Sequence, residues 1–272
     1  MIGTFKDLYD YRELLFTLIW KNVVLRYKQA YLGIGWAVIK PVMLMLIFTL
    51  VRSFVGIESG DIPYPILTFA ALLPWVFFQE AASDGVGSVV NNAHLIKKIY
   101  FPREIFPLSS VITRMVDLGI NLLLLFALMA WYGIVPTMAL LWIPVILLYT
   151  ILAALILAMA GAAVNVYYRD IGNALPLLLS LMMYVSPIIY PLQLVKEKLL
   201  VNQAAGEWSG ALYQLYLLNP LAGIIDGFQN AVLRGISPDL DTLLPGMILV
   251  AVLLPLSYRA FRHAESHFAD VI

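Results

Sequence analysis

Long apolar runs alternate with short polar breaks along most of the chain. The runs fall at about 36–57, 64–83, 105–131, 138–166, 171–192 and 242–261. Crossing a hydrocarbon core about 30 Å thick takes about 20 helical residues at roughly 1.5 Å each, and every run is long enough. The pattern predicts an all-α integral membrane fold with six transmembrane helices, in a single domain over 1–272 with its six-span core at 36–261. Lys40-Pro41 opens the first run. Proline is tolerated in a first helical turn because its missing N–H would be unpaired there. The second run is expected to end at Glu80 and Asp84.

Ahead of the first span, residues 11–30 read as an amphipathic helix near the membrane surface. Phe16, Ile19, Trp20, Val23 and Tyr27 share one stripe at 3.6-residue spacing, with Glu13, Thr17, Lys21 and Lys28 on another. Leu14, Leu18 and Leu25 form a second, narrower strip, which suits a helix touching lipid on one side and protein on the other. The alternative is an ordinary packing helix. A turn follows at Tyr31 to Trp36, where Gly33 and Gly35 relax the backbone.

Residues 193–241 break the pattern. Ala211 to Leu233 is apolar enough to read as a seventh span, but Asn219-Pro220 cuts it into two short pieces and Asp226 sits in the second. Two half-helices dipping in from one face fit better, making 193–236 a re-entrant gate segment. Such backbone is tolerated at membrane depth only where protein or water covers it.

Lysine and arginine set the orientation. Lys6, Arg12, Lys21, Arg26, Lys28, Lys40, Lys97, Lys98, Arg103, Arg169, Arg259 and Arg262 fall on one side; Arg52, Lys196, Lys198 and Arg234 fall on the other. The richer side is read as cytoplasmic, with both termini there and the gate segment external. A seventh span would put Arg259 and Arg262 outside, against this rule.

Composition strengthens the membrane reading. Of 272 residues, 62% are hydrophobic and 12% charged, against about 45–50% and about 25% in soluble domains; mean hydropathy is +0.87. Seventeen basic and 17 acidic residues cancel, so membrane lipid and not nucleic acid is the expected neighbour. With no cysteine, disulfides, thiolate metal ligands and cysteine nucleophiles are excluded. Residues 1–13 carry Lys6, Asp7, Asp10, Arg12 and Glu13 and do not read as a cleaved signal peptide.

Enzyme chemistry finds little purchase. There is no Gly-Lys pair, hence no phosphate-cradling P-loop. Gly33-Ile34-Gly35 lacks the third glycine of a dinucleotide fingerprint. His263 and His267 have zinc-protease spacing, but Ala264 stands where glutamate is required. His94, His263 and His267 build no Ser-His-Asp triad. No catalytic residue, metal ligand or resident cofactor is expected. Inside span 3, Arg114 and Asp117 are three apart and share a face. They are an ion relay, a neutralised pair turned toward other helices, or a pair sitting in the headgroup zone at a deep helix start, and a single pair is a poor basis for ion coupling.

Between spans 2 and 3 lies a basic and polar island, Asn91 to Glu104. Leu95, Ile96, Ile99, Tyr100 and Phe101 sit among Lys97, Lys98 and Arg103 there. Apolar residues among lysines on a cytoplasmic loop point to a docking surface; a solvated loop made basic by topology is the alternative. Pro102 and Pro107 stiffen the return into span 3. A second candidate contact is Asn165 to Ile171, with Tyr168, Arg169 and Asp170 at its tip. Trp131, Tyr132 and Trp142 read as an interfacial belt. Trp75, Phe77, Phe78, Tyr184 and Tyr190 are candidates to line a path on which sugar rings stack, with core packing the alternative.

These stretches together resemble the membrane subunit of ABC-2 type polysaccharide exporters, which carry O-antigen, teichoic acid or related lipid-linked glycans. The resemblance lies in Arg26 to Ala37 through Lys40-Pro41, Pro63-Tyr64-Pro65, Leu73-Pro74-Trp75, Asn92 to Pro107, Asn165 to Ile171, Ser186 to Pro191, Asn219-Pro220 and Phe268 to Ile272, in order from end to end. It implies a homodimer in the bacterial inner membrane, with two ATP-binding-cassette subunits holding ATP and Mg on the cytoplasmic face. It implies an interface helix at about 11–30, a coupling helix in the island, external gate helices, and a polyprenyl-diphosphate-linked glycan passing spans 1 and 5. Coupling then falls to Leu95, Ile96, Lys97, Lys98, Tyr100, Arg103, Tyr168, Arg169 and Asp170. Arg26, Lys28 and Lys40 become candidates to meet the diphosphate. Arg114 departs from the apolar residue expected at its position. Two rivals remain: an ion-driven flippase of lipid-linked sugars, and an intramembrane glycosyl- or acyltransferase.

Overall fold

A computed structural model describes residues 9–28, 32–55, 62–97, 101–204 and 209–271. The elements are α1 (Arg12–Tyr27), α2 (Gly35–Val55), α3 (Tyr64–Asn91), α4 (Ala93–Ile96), α5 (Ile105–Trp131), a 3₁₀ turn Met138–Trp142 leading into α6 (Ile143–Tyr167), α7 (Ile171–Val185), α8 (Leu192–Ala204), α9 (Ser209–Leu217), α10 (Pro220–Gln229) continued by a π-helical turn Asn230–Arg234, α11 (Leu240–Glu265) and α12 (Phe268–Val271). Among the described residues there is no strand.

Among the described residues, five helices are long and apolar enough to cross a membrane: α2, α3, α5, α6 with its lead-in, and α11. The predicted fifth span, 171–192, is helical only over the 15 residues of α7. Its end has a local cause. Ser186 precedes Pro187, and the proline ring drives the residue before it to extended backbone; Ser186 has φ −81° and ψ 153°. Fifteen residues reach about 22 Å, short of the hydrocarbon thickness.

Helix α3 is the axis of the bundle. Of its most apolar window 83% is buried, against 17% for α2 and 33% or less for the others. Small residues make this wrapping feasible. A Cβ on Gly85 would overlap Ala158 of α6, and one on Gly161 would overlap Val86 of α3. Small residues at a helix–helix contact let backbones approach and dispersion contacts form.

Helix α3 also runs past the predicted end near residue 83, to Asn91. The hydroxyls of Ser83 and Ser88 donate to the carbonyls of Gln79 and Gly85, and the Asn92 amide donates to Ser88 O. Polar side chains that bond back to their own helix let it continue where composition alone reads as a stop. Twenty-eight residues make α3 about 42 Å long, about 12 Å more than a hydrocarbon core needs. Glu80 and Asp84 therefore lie within the helix.

Helix α1 lies against α5. Leu18 is its buried contact, while Phe16 and Trp20 are 68% and 71% exposed. Phe16 and Trp20 of the broad stripe thus face outward while Tyr27 of the same stripe turns in to Asp117, and of the narrow leucine strip Leu18 makes the protein contact while Leu25 is 61% exposed.

At the end opposite the island, Asn219-Pro220 separates α9 from α10 as expected. The Asn219 side chain accepts from Leu221 N–H at 3.1 Å, capping α10, and donates to Ser186 Oγ at 3.0 Å. Gln229 reaches the carbonyl of Leu67 on α3 at 2.9 Å. Most of α10 is buried against α3, α6 and α11.

Candidate functional site

The island forms the short helix α4 and then a clasp onto the end of α11. Lys98, Ile99 and Tyr100 lie outside the described residues. Ile96 and Phe101 are 6% and 4% exposed and join Leu18, Val89, Phe106, Val166, Phe261 and Phe268 in a second apolar cluster. Among the described residues of the island, Ile96 and Phe101 therefore face inward and Leu95 is partly covered. His94 and Lys97 stay exposed.

Arg103 donates its backbone N–H to Glu265 Oε1 at 2.9 Å and its guanidinium to the Glu265 carbonyl. Arg262 pairs with Glu104 at 3.2 Å and Glu265 at 2.8 Å. Glu104 is 1% exposed, so its charge needs this partner. Phe261 and Phe268 meet edge-on at 5.5 Å between ring centroids, and Arg103 lies 5.9 Å over Phe268. The start of α5 and the end of α11 are thus one mechanical unit.

The second candidate contact is tied into the same end. Tyr168, Arg169 and Asp170 are exposed. Behind them Asn165, 4% exposed, accepts from Gly172 N–H at 2.9 Å and donates to Val86 O on α3 at 3.2 Å.

Further into the bundle, α1, α2, α3 and α5 converge on six charges. Arg26 pairs with Asp84 at 2.7 Å and Asp117 at 2.8 Å. Arg114 pairs with Glu80, with Asp84 at 2.7 Å and with Asp117 at 3.1 Å. Lys40 meets Glu80 at 2.6 Å, and the Tyr27 hydroxyl donates to Asp117. Three cations face three carboxylates, so the cluster is neutral as a whole. Asp117 lies 12 residues into α5, about 18 Å along it, where ions without partners are costly. A cavity of about 290 Å³ opens beside the cluster, lined by Tyr27, Trp36, Lys40, Glu80, Arg114 and Asp117 among others.

Arg114 and Asp117 are thus a neutralised pair, as the simpler sequence reading has it, but inside a larger lattice. Arg26 and Lys40 come together there; Lys28 is exposed at the end of α1 and joins neither carboxylate set. Glu80, Asp84, Glu104, Arg262 and Glu265 were not singled out from the sequence. The available signal was the charge tally: an Arg within a span requires carboxylates on neighbouring spans.

The five aromatic candidates separate. Trp75, Phe77 and Phe78 are 0%, 4% and 5% exposed, in the core around α3. Tyr184 is 57% exposed. Tyr190 donates to the carbonyls of Tyr184 and Val185, closing the end of α7.

Comparison with known proteins bears on this arrangement. The O-antigen export system permease protein RfbA of Myxococcus xanthus is 28% identical over 273 residues, covering 100% of both chains. A Klebsiella pneumoniae protein of the same name is 26% identical, over 96% of this chain and 95% of its own. The polysialic acid transport protein KpsM of Escherichia coli is 22% identical over 80% of each. The family profile for ABC-2 type transporters matches residues 13–233, from within α1 through the π-helical turn. With its multi-pass helical fold and end-to-end relatives, the chain belongs to the ABC-2 type transporter membrane family.

Proposed function

We propose that the chain is the membrane subunit of an ATP-driven exporter. It moves a polyprenyl-diphosphate-linked polysaccharide, O-antigen foremost, from the cytoplasm to the outer face of the bacterial inner membrane. Two copies form the path, and two ATP-binding-cassette subunits, carrying ATP and Mg, dock at the island end. The observation that carries the reading is the full-length match to a protein named as an O-antigen export permease.

The geometry supports a mechanical role for the island. A push on Arg103 reaches α5 directly and α11 through the Arg103–Glu265 and Glu104–Arg262 contacts. A push on Tyr168 to Asp170 reaches α3 through Asn165. In this reading the diphosphate first meets Lys28 and Lys40. Lys40 is 47% exposed and has one carboxylate partner, whereas Arg26 is held by two. A phosphate oxygen competes well for such a lysine because the hydrogen bond is charge-assisted.

An ion-driven route gains no support from Asp117, whose carboxylate is engaged by Arg26, Arg114 and Tyr27.

The test is to co-express the tagged chain with a candidate ATP-binding-cassette subunit from the same organism. Recovery of both together is expected, as is intracellular build-up of a lipid-linked polysaccharide when this chain is removed. Transport by the lone purified chain in vesicles without ATP would overturn the proposal.

A further inference from the structure

At the end away from the island, a cavity of about 390 Å³ opens between α8, α9, α10 with its π-helical turn, and the start of α11. Its floor is Asp226, Asn230 and Thr242; Asn230 and Thr242 are 6% and 5% exposed. One wall is the half-buried ring of Tyr213. The rim carries Gln193, Lys196, Glu197, Arg234 and Asp239.

Asp226, Asn230 and Arg234 recur every four residues along one face. Asn230 donates to Asp226 Oδ2 at 2.9 Å and accepts from Arg234 at 2.8 Å. The π turn widens the backbone at this point, a feature often found at functional sites. Gly235 then closes it at φ +67°. The volume falls within the roughly 300–1,000 Å³ of small-molecule sites.

The lining selects a class of ligand. Three carboxylates against two cations disfavour a phosphate. No grouping among the described residues has the make-up of a metal site. Planar amide, carboxylate and guanidinium groups beside an aromatic face are what vicinal hydroxyls and the apolar face of a sugar ring require. We propose that this cavity is a subsite for an uncharged sugar unit, holding one residue of the glycan as it leaves between the gate helices. The location at the exit rests on the export reading above; the binding itself does not.

The full chain in lipid nanodiscs is titrated with the methyl glycosides of D-mannose, D-galactose, L-rhamnose and N-acetyl-D-glucosamine, with inorganic pyrophosphate as the charged control. Binding is read by saturation-transfer NMR. At least one glycoside is expected to bind, with affinity reduced tenfold or more by Asp226→Asn and by Tyr213→Ala and unchanged by His263→Ala, an exposed position at the other end. Tyr213→Phe, which leaves the half-exposed ring in place, is expected to bind as the parent does, guarding against loss of fold. No binding by any glycoside, equal binding by the Asp226 and Tyr213→Ala variants, or preference for pyrophosphate overturns the inference. Polysaccharide export by the chain with its ATP-binding partner is measured in parallel. Export without glycoside binding sinks the subsite alone; glycoside binding without export sinks the export reading and leaves the subsite standing.

Discussion

The Arg262 guanidinium stands 3.2 Å from the carboxylate of Glu104, joining residues 158 positions apart at the island end. Removing one partner of a buried pair typically costs about 3–5 kcal/mol. Arg262 is itself 37% exposed, so water recovers part of that. Arg262→Ala is expected to destabilise the chain near the lower end of this range, and Arg262→Lys by less. Thermal unfolding of the purified variants in detergent decides it; parent-like melting of Arg262→Ala would remove the clasp from consideration.

The charge lattice predicts a non-additive pair. Arg114→Ala leaves Glu80, Asp84 and Asp117 short of a cation and should cost about 3–5 kcal/mol. Adding Glu80→Gln removes one stranded carboxylate and should restore part of the loss, because residues in one network do not add. A double variant as unstable as the sum of its singles would mean that the two residues act separately.

Two glycines in the bundle should respond oppositely. Gly85→Ala forces a methyl into Ala158 and should cost about 1–3 kcal/mol as overpacking. Gly119 has nothing within 4 Å of its added Cβ, so Gly119→Ala should be neutral or gain up to about 1 kcal/mol from helix propensity. The two melting temperatures, measured side by side, check both.

Joint replacement of Lys97, Lys98 and Tyr100 by alanine is expected to leave the chain folded, which its melting temperature checks. In the proposed exporter it should separate ATP hydrolysis from polysaccharide export. The readout is nucleotide turnover and surface polysaccharide in the same cells. Undiminished export would exclude the island as the point of force transfer.

Much of the architecture was legible because it rests on local physics. The apolar runs located five long helices, and Asn219-Pro220 located the break between α9 and α10. Errors arose where a local signal was ambiguous. Glu80 and Asp84 read as the end of a span because charge normally marks the membrane boundary, yet Arg114 and Arg26 neutralise them in place. The run 171–192 read as continuous because its hydropathy is, while Pro187 stops the helix. Ile96 and Phe101 read as docking residues because a sequence does not say which way a loop side chain points. Apart from the i,i+3 pairs Arg114–Asp117 and Arg262–Glu265, the ion pairs and hydrogen bonds of the clasp and the charge lattice join residues 30 to 162 positions apart, and no local pattern encodes such pairings.

The wrapping of α3 bears on how the protein is made. A chain whose innermost helix is already enclosed by its own neighbours needs no second subunit to finish its interior. Synthesis and insertion can therefore run to completion one polypeptide at a time. In the proposed two-copy exporter, an inactive copy would then be expected to enter complexes as readily as a working one and to poison them in proportion to its share of the pool.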